Sequence, residues 1–329
     1  MSLDQGMPEL AFALEAVRTA AGIAQSVRSR LEVKGIEKSD LSPVTVADYA
    51  CQALIAKRLG DTFPDAVLVG EEDAEDLRND PNEDTLESIA GFVREVEATA
   101  TRDSVCDWID QGKGEPGDRF WTLDPIDGTK GYLRGEQYAV ALALIENGRV
   151  TLGVLGCPHL GGDCRPGTGA KGVLVAAVAG QGAWRVPLKG GDFHQIQVSA
   201  CSEMAQARML RSVEAGHTNV DQIGRLSELL GLRAEPVCLD SQAKYALLGS
   251  GGGELLVRLL SASRPEYKEK IWDQAAGSIV LEEAGGRITD LEGRGLDFTQ
   301  GRTLAGNTGV CASNGILHDE FLEAVSRLS

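Results

Sequence analysis

The stretch FWTLDPIDGTKGYLRGEQYAVALALI, residues 120–145, restricts the possible folds most. Its opening apolar run carries Trp121 and Leu123 and meets Asp124-Pro125, and proline has no N–H to give to a sheet ladder, so the strand is predicted to end at Asp124. Asp127-Gly128-Thr129 then has the composition of a tight turn or a helix N-cap. The following runs, 138–145 and 150–156, are separated by Asn147-Gly148 and predict an antiparallel hairpin. A chain with this order must bring two carboxylates out at one strand end, beside exposed turn backbone.

Around that segment helices and strands alternate. Leu10, Leu14, Val17, Ala21 and Ile23 predict a first helix within residues 8–31, and Ala47, Ala50, Leu54 and Leu59 a second one after Pro43. Short strands are expected at 67–69, 173–178 and 183–186, the last two joined across Gly180-Gln181-Gly182. Beyond residue 195 the pattern predicts a helix at 223–230, a strand at 237–239, a helix at 242–249, a strand at 254–260 and a helix at 273–284. Such an order suits stacked layers of sheet and helix. The 329 residues suffice for two units, and the Gly-rich stretch 161–191 suggests a soft boundary: an N-terminal α+β half, 1–190, and a C-terminal α/β half, 191–329. The acidic stretch 71–87 reads as a solvated loop leading into a helix.

Composition excludes several classes of function. With 32 basic and 49 acidic side chains the net charge is −17, which opposes nucleic-acid backbones and anionic membranes. Apolar runs such as the seven residues 139–145 fall far short of the ~20 needed to span a bilayer. The N-terminal MSLDQGMPEL has neither secretory nor transit-peptide character, so a cytoplasmic location is expected. Seven cysteines without a CxxC are expected to be reduced thiols, and the four histidines lack zinc-ligand spacing. Gly167 to Gly172 spells GxGxxG but precedes a strand, whereas a dinucleotide fingerprint follows one. No P-loop, GxSxG elbow or HExxH helix is present.

Acidic residues at element ends carry the remaining signal. Asp124 and Asp127 are joined by Glu71, at the end of the 67–70 run, and by Asp273, ahead of a helix that stops at Gly285-Gly286. Singly, each is an ordinary turn former or cap. If the fold gathers them, like charges ~4 Å apart repel by about 4 kcal/mol at an effective dielectric of 20, and cations are needed. Oxygen-only ligands favour Mg²⁺, and about four carboxylates match two divalent ions. The backbone at Gly128-Thr129 offers amide donors to a phosphate, which points to phosphoester chemistry.

Three ordered motifs, GEED (70–73), DPIDGT (124–129) and WDQAAG (272–277), resemble the lithium-sensitive, magnesium-dependent phosphatase superfamily of inositol monophosphatase. Within it the chain is most similar to the 3'(2'),5'-bisphosphate nucleotidases, through SPVTVADYA (42–50), IDQG (109–112), SVEAGH (212–217), DSQAKYALL (240–248) and YKEKIWD (267–273). The resemblance spans roughly residues 40–290 and implies an α+β fold, a layered αβαβα sandwich of the inositol monophosphatase and sugar phosphatase type. It implies two or more Mg²⁺ per site, one held by Glu71, Asp124 and the carbonyl of Ile126, a second by Asp124, Asp127 and Asp273. Asp48 and Thr129 resemble the family's proton-accepting pair, and the Gly128 and Thr129 amides its phosphoryl holders. Ser241, Lys244 and Arg258 are implied to bind a 5'-phosphate and His217 the adenine. The bland alternatives are a solvated cation for Lys244 or Arg258 and a surface or core histidine for His217.

The implied activity removes the 3'-phosphate of 3'-phosphoadenosine 5'-phosphate, with its sulfated form a further substrate, and is expected to be inhibited by Li⁺ and to belong to sulfur metabolism. The expected partner is a small phosphorylated nucleotide, with no nucleic acid and no membrane, and the chain is expected to be a monomer. An inositol (poly)phosphate or sugar-phosphate phosphatase would use the same metal centre. A non-catalytic nucleotide or divalent-ion sensor is the alternative of another class, against which Asp48 and Thr129 argue, since binding alone needs no water-activating pair. Two departures from the family bear on substrate preference: Gln274, where relatives often carry His, and Gly251-Gly252-Gly253, expected to loosen the approach to Arg258.

Overall fold

The computed structural model describes residues 3–33, 43–78, 83–167, 169–213, 220–260, 264 and 266–328. It is an α+β molecule of five layers. Helices α1 (Pro8–Val33) and α2 (Pro43–Thr62) pack together, with α3 (Glu83–Arg94) and α4 (Arg102–Asp110) against α2. They cover one face of a seven-stranded sheet in sequence order: β1 (Leu68–Gly70), β2 (Arg119–Asp127), β3 (Ala139–Glu146), β4 (Arg149–Cys157), β5 (Val173–Val178), β6 (Gly182–Pro187) and β7 (His194–Ile196). The short α5 (Thr129–Arg134) follows β2.

A second sheet, ordered β11-β12-β10-β8-β9, is formed by β8 (Met209–Arg211), β9 (Val237–Cys238), β10 (Leu255–Arg258), β11 (Arg287–Thr289) and β12 (Val310–Ser313). Helices α7 (Ala243–Gly249) and α8 (Ala275–Glu283) fill the space between the sheets, and α6 (Val220–Leu229) and α9 (His318–Ser326) lie on the outer face of the second. Among the described residues no helix is long and apolar enough to cross a membrane.

The residues of β3 explain the layering. Val140, Leu142 and Leu144 join the core shared with α1 and α2, while Ala139, Ala141, Ala143 and Ile145 face the core around α7 and α8. Period-2 alternation of large and small side chains thus keeps both faces apolar while letting helices approach one of them closely. Gly153 on β4 serves the same end, because a Cβ there would lie 2.9 Å from the Ala276 carbonyl oxygen of α8. This close seating fixes the N-terminal end of α8, and with it the preceding Asp273.

Strand β2 differs from the expectation that it ends at Asp124. It continues through Pro125 to Asp127, with Asp124 opposite Ala141 and Asp127 opposite Ala139 and a register shift between them. The proline occupies that irregularity, where no ladder donor is required, and the bulge re-aims the residues that follow. GxGxxG fails as expected: Val173, immediately after it, opens β5.

His318, at the start of α9, is fully buried between Thr289 Oγ1 (3.0 Å from Nε2) and Ser313 Oγ (3.1 Å from Nδ1). Burial, with Arg287 adding to it, pushes its pKa down to about 4 from an ordinary 6.5. The unfolded chain therefore takes up this proton first. The associated stability is present above pH 6.5 and is lost as pH falls from there towards 4, by up to about 3 kcal/mol. His318→Gln should flatten the dependence of melting temperature on pH across that window; carboxylates titrate in both proteins and cancel in the comparison. Parallel curves would contradict it.

Candidate active site

The acidic residues converge because two strands run side by side. In the parallel β1–β2 pair Gly70 lies opposite Leu123, and the Glu71 N–H still donates to the Leu123 carbonyl at 3.2 Å. One further residue along each strand sets Glu71 beside Asp124. Gln52, from α2, holds the next peptide on both sides: Glu72 N–H donates to its Oε1 at 3.0 Å, and its Nε2 donates to the Glu72 carbonyl at 2.6 Å.

After β2 the chain turns at Gly128, whose φ of 89° is left-handed and where a Cβ would sit 2.8 Å from Ser241 Cβ, so only glycine fits. Asp127 is tied to the second half, since its Oδ2 accepts from the Gln242 N–H at 2.6 Å. Gln242 also donates to the Trp272 carbonyl (2.9 Å) and accepts from Gly277 N–H (3.0 Å). One residue, through its backbone N–H and its side chain, therefore links the end of β2, the start of α7 and the turn that carries Asp273. Asp273 is not the cap of α8, a position occupied by Gln274.

Glu71, Asp124, Ile126, Asp127, Gly128, Thr129 and Asp273 line one cleft of about 430 Å³ together with Ser241, Lys244 and Arg258. Three parallel strands, β9, β8 and β10, end at the same cleft, the usual place for a ligand in such sheets. The cleft has an acidic side and a cationic side. Asp124 is 2% exposed, and its Oδ1 is buried without a hydrogen-bond partner. Burial above all, then Glu71, Asp127 and Asp273, holds its carboxyl well above the usual range. Burial also raises Glu71, partly offset by a hydrogen bond shared with Asp124, and raises Asp127, against which Lys244 acts. Asp273 is pushed up to about 8 by burial, which the nearby Arg258 only partly opposes. Among the described residues no three acidic groups form a ready-made ligand shell, as expected of carboxylates that repel one another. The donor set still fits hard cations: four carboxylates facing one space, one with an orphaned oxygen.

On the cationic side, Lys244 is 5% exposed and donates to Ser212 Oγ at 3.1 Å. Burial, then Arg258, lowers its pKa to about 8. Arg258 pairs with Glu269 at 2.9 Å; burial opposes its charge, but Glu269 and Asp273 more than offset this and keep it protonated. Gln274 accepts from Tyr245 Oη at 2.6 Å and donates to Glu269 at 2.8 Å, so it steadies Arg258 from behind. The glycine run before β10 is not loose. A Cβ on Gly252 or Gly253 would come within 2.0 Å of Leu247 Cδ1 or 2.5 Å of Leu210 Cδ2, so these glycines allow tight packing under the strand that carries Arg258.

The sequence model of the inositol monophosphatase family matches residues 7–329. The chain belongs to the inositol monophosphatase family. A relative from Oryza sativa named 3'(2'),5'-bisphosphate nucleotidase is 42% identical over 99% of this chain and 96% of its own length. One of the same name from Emericella nidulans is 38% identical, covering 95% and 96%, and a 3',5'-bisphosphate nucleotidase 2 from Arabidopsis thaliana is 40% identical, covering 96% and 95%. Among solved structures a Thermotoga maritima IMPase superposes with a TM-score of 0.64 at 23% identity, covering 98% of both chains. An inositol monophosphatase from Anabaena gives 0.64 at 20% identity, covering 97% and 95%, and these likenesses establish the inositol monophosphatase fold.

Set in that family, the remaining expected residues fall as follows. Asp48, on α2, is 8% exposed and is not among the residues lining the cleft. Burial, then Glu72 and Glu71, raises its carboxyl pKa, and no hydrogen bond joins it to Thr129. His217 lies outside the described residues. Arg211, Ser212, Asp240 and Tyr267 also line the cleft and escaped the sequence reading. Ser212, Asp240 and Tyr267 are the first residues of the SVEAGH, DSQAKYALL and YKEKIWD motifs, a signal that could have found them.

Proposed function

We propose that this chain is a Mg²⁺-dependent phosphatase that hydrolyses the 3'-phosphate of 3'-phosphoadenosine 5'-phosphate to AMP and phosphate. The observation that carries this reading is a single cleft with Glu71, Asp124, Asp127 and Asp273 on one side and buried Lys244 with Arg258 on the other. A bisphosphate substrate needs both features: ions beside the ester that is cleaved and fixed cations for the anion that is kept. The names of relatives at 38–42% identity support the same substrate class.

Glu71, Asp124 and the Ile126 carbonyl would hold one Mg²⁺ and Asp124, Asp127 and Asp273 a second, with Asp124 shared. Bound there, the ions supply a more acidic water and neutralise charge on the leaving oxygen. The Gly128 and Thr129 amides, at the start of α5, orient the phosphoryl oxygens. The hydroxyl of Thr129, an exposed residue that lines the cleft, would position the attacking water. Lys244, Arg258 and Ser241 grip the second anion, and Asp127 couples the two sides through Gln242.

Phosphate release over a panel of adenosine bisphosphates and inositol phosphates tests the reading. Release should be fastest from 3'-phosphoadenosine 5'-phosphate, require Mg²⁺ and be inhibited by Li⁺. Equal or faster release from an inositol phosphate would reassign the substrate, and tight nucleotide binding without release at saturating Mg²⁺ would make the chain a sensor.

A further inference from the structure

Arg302 lies in the loop between β11 and β12, far in sequence from every motif, yet it touches both elements that deliver the outermost acidic residues. Its Nη1 donates to the carbonyls of Gly112 (3.3 Å) and Gly114 (3.2 Å), and its Nη2 donates to the carbonyl of Gly70. Gly70 directly precedes Glu71, and the 112–114 segment pairs with the free edge of β1 through Gly70 N–H to Gly112 O (2.8 Å) and Gly114 N–H to Leu68 O (3.0 Å). The same guanidinium lies over the indole of Trp272, 5.1 Å from its centroid, and Trp272 directly precedes Asp273.

The loop is braced to hold that reach. Segment 302–304 runs against 269–271 through Ile271 N–H to Arg302 O (3.2 Å), a Lys270–Thr303 bridge and Leu304 N–H to Glu269 O (2.8 Å). Its base is closed by Asn307, which donates to Asp290 Oδ2 (3.1 Å) and to the Gly295 carbonyl (2.9 Å). A planar, multi-donor cation is the side chain suited to binding three carbonyls while stacking on an aromatic face; lysine has one compact ammonium and no plane.

We infer that Arg302 is a positioning residue for the metal centre, fixing the separation of Glu71 from Asp273 by clamping Gly70 and Trp272 at once. This rests on the reading of the acidic cleft as a divalent-cation site. Arg302 touches neither substrate nor ion; it acts through the backbone of one ligand and the neighbour of another. Without it, two repelling carboxylates, one just after β1 and the other in the turn ahead of α8, are free to move apart, and ions must draw them together each time they bind.

The test is Mn²⁺ titration of the metal-free protein by calorimetry or spin resonance, alongside the Mg²⁺ concentration that half-saturates activity. Arg302→Met should weaken Mn²⁺ binding about ten- to a hundredfold, the range seen when groups that orient metal ligands are removed. The half-saturating Mg²⁺ should rise in step, while KM for the phosphoester at saturating Mg²⁺ changes less than about twofold. Arg302→Lys should give an intermediate loss, and it supplies the readout if methionine prevents folding. Asp297→Ala loosens the same loop away from the clamp and is the control: its Asp297 carboxylate only holds Thr299 and Gln300. Equal weakening by Asp297→Ala at equal loss of melting temperature would overturn the inference, as would unchanged Mn²⁺ affinity in Arg302→Met while the unaltered protein binds tightly. Absence of Mn²⁺ binding by the unaltered protein would overturn the cleft's reading as a metal site, and the clamp with it.

Discussion

Asp124→Asn should lower phosphate release by at least about 10³-fold, because it removes the one carboxylate assigned to both ions, and single preorganised charge-stabilising groups already supply about that much. The same substitution should stabilise the metal-free protein. Asp124 is a buried carboxylate among three others, and burial followed by Glu71, Asp127 and Asp273 raises its pKa. A carboxyl group with a raised pKa binds its proton more tightly in the folded chain than in the unfolded one. Metal-free stability must therefore fall as pH rises above the ordinary carboxylate value of 3.8, and it keeps falling until Asp273 has ionised near 8. Removing one charge relieves that loss. In a chelator at pH 8 the variant should melt at a higher temperature than the unaltered protein, and in Mg²⁺ the order should reverse. Retained activity, or a lower melting temperature in chelator, would remove Asp124 from the centre of the site.

Lys244→Ala should separate the two sides of the cleft. The ammonium is buried and bound to Ser212, and it stands near Arg258, so its position is set before a ligand arrives. A charge-assisted contact to a phosphate that is kept, not cleaved, contributes about 3 kcal/mol at most, or about 10²-fold. Turnover of 3'-phosphoadenosine 5'-phosphate should drop by about that factor, whereas a simple phosphomonoester with no second anion should be cleaved at nearly the original rate. Lys244→Met, which keeps the buried volume, should behave alike and show that the loss is one of charge. An equal fall on both substrates would mean that Lys244 supports the fold or the reacting phosphate and does not read the second one.

The acidic side was legible because Glu71, Asp124, Asp127 and Asp273 stand at element ends inside short distinctive motifs. The hairpin of β3 and β4 was legible for a different reason, as each strand is long enough for its pattern to show. Strands of three or four residues, such as β8, β11 and β12, carry too little periodicity to be seen, and α9 was missed with them. Pro125 misled because the sequence shows the missing donor but not that a bulge makes the donor unnecessary. Gly252 and Gly253 misled in the opposite sense: freedom of the backbone suggested slack, where the absent side chains instead make room for Leu247 and Leu210. Arg302 was invisible because its partners are main-chain carbonyls from residues nearly two hundred positions away, which no local pattern encodes.

The triple attachment of Gln242 has a consequence for discrimination. It fastens Asp127 to the start of α7, two residues before Lys244, and to the turn ahead of α8, so the gap between the two charged walls is built in. Such a cleft works as a caliper. Molecules with two anionic groups are sorted by the span between those groups, and one that is a bond too long or too short forfeits one of its grips, however well each end would fit alone.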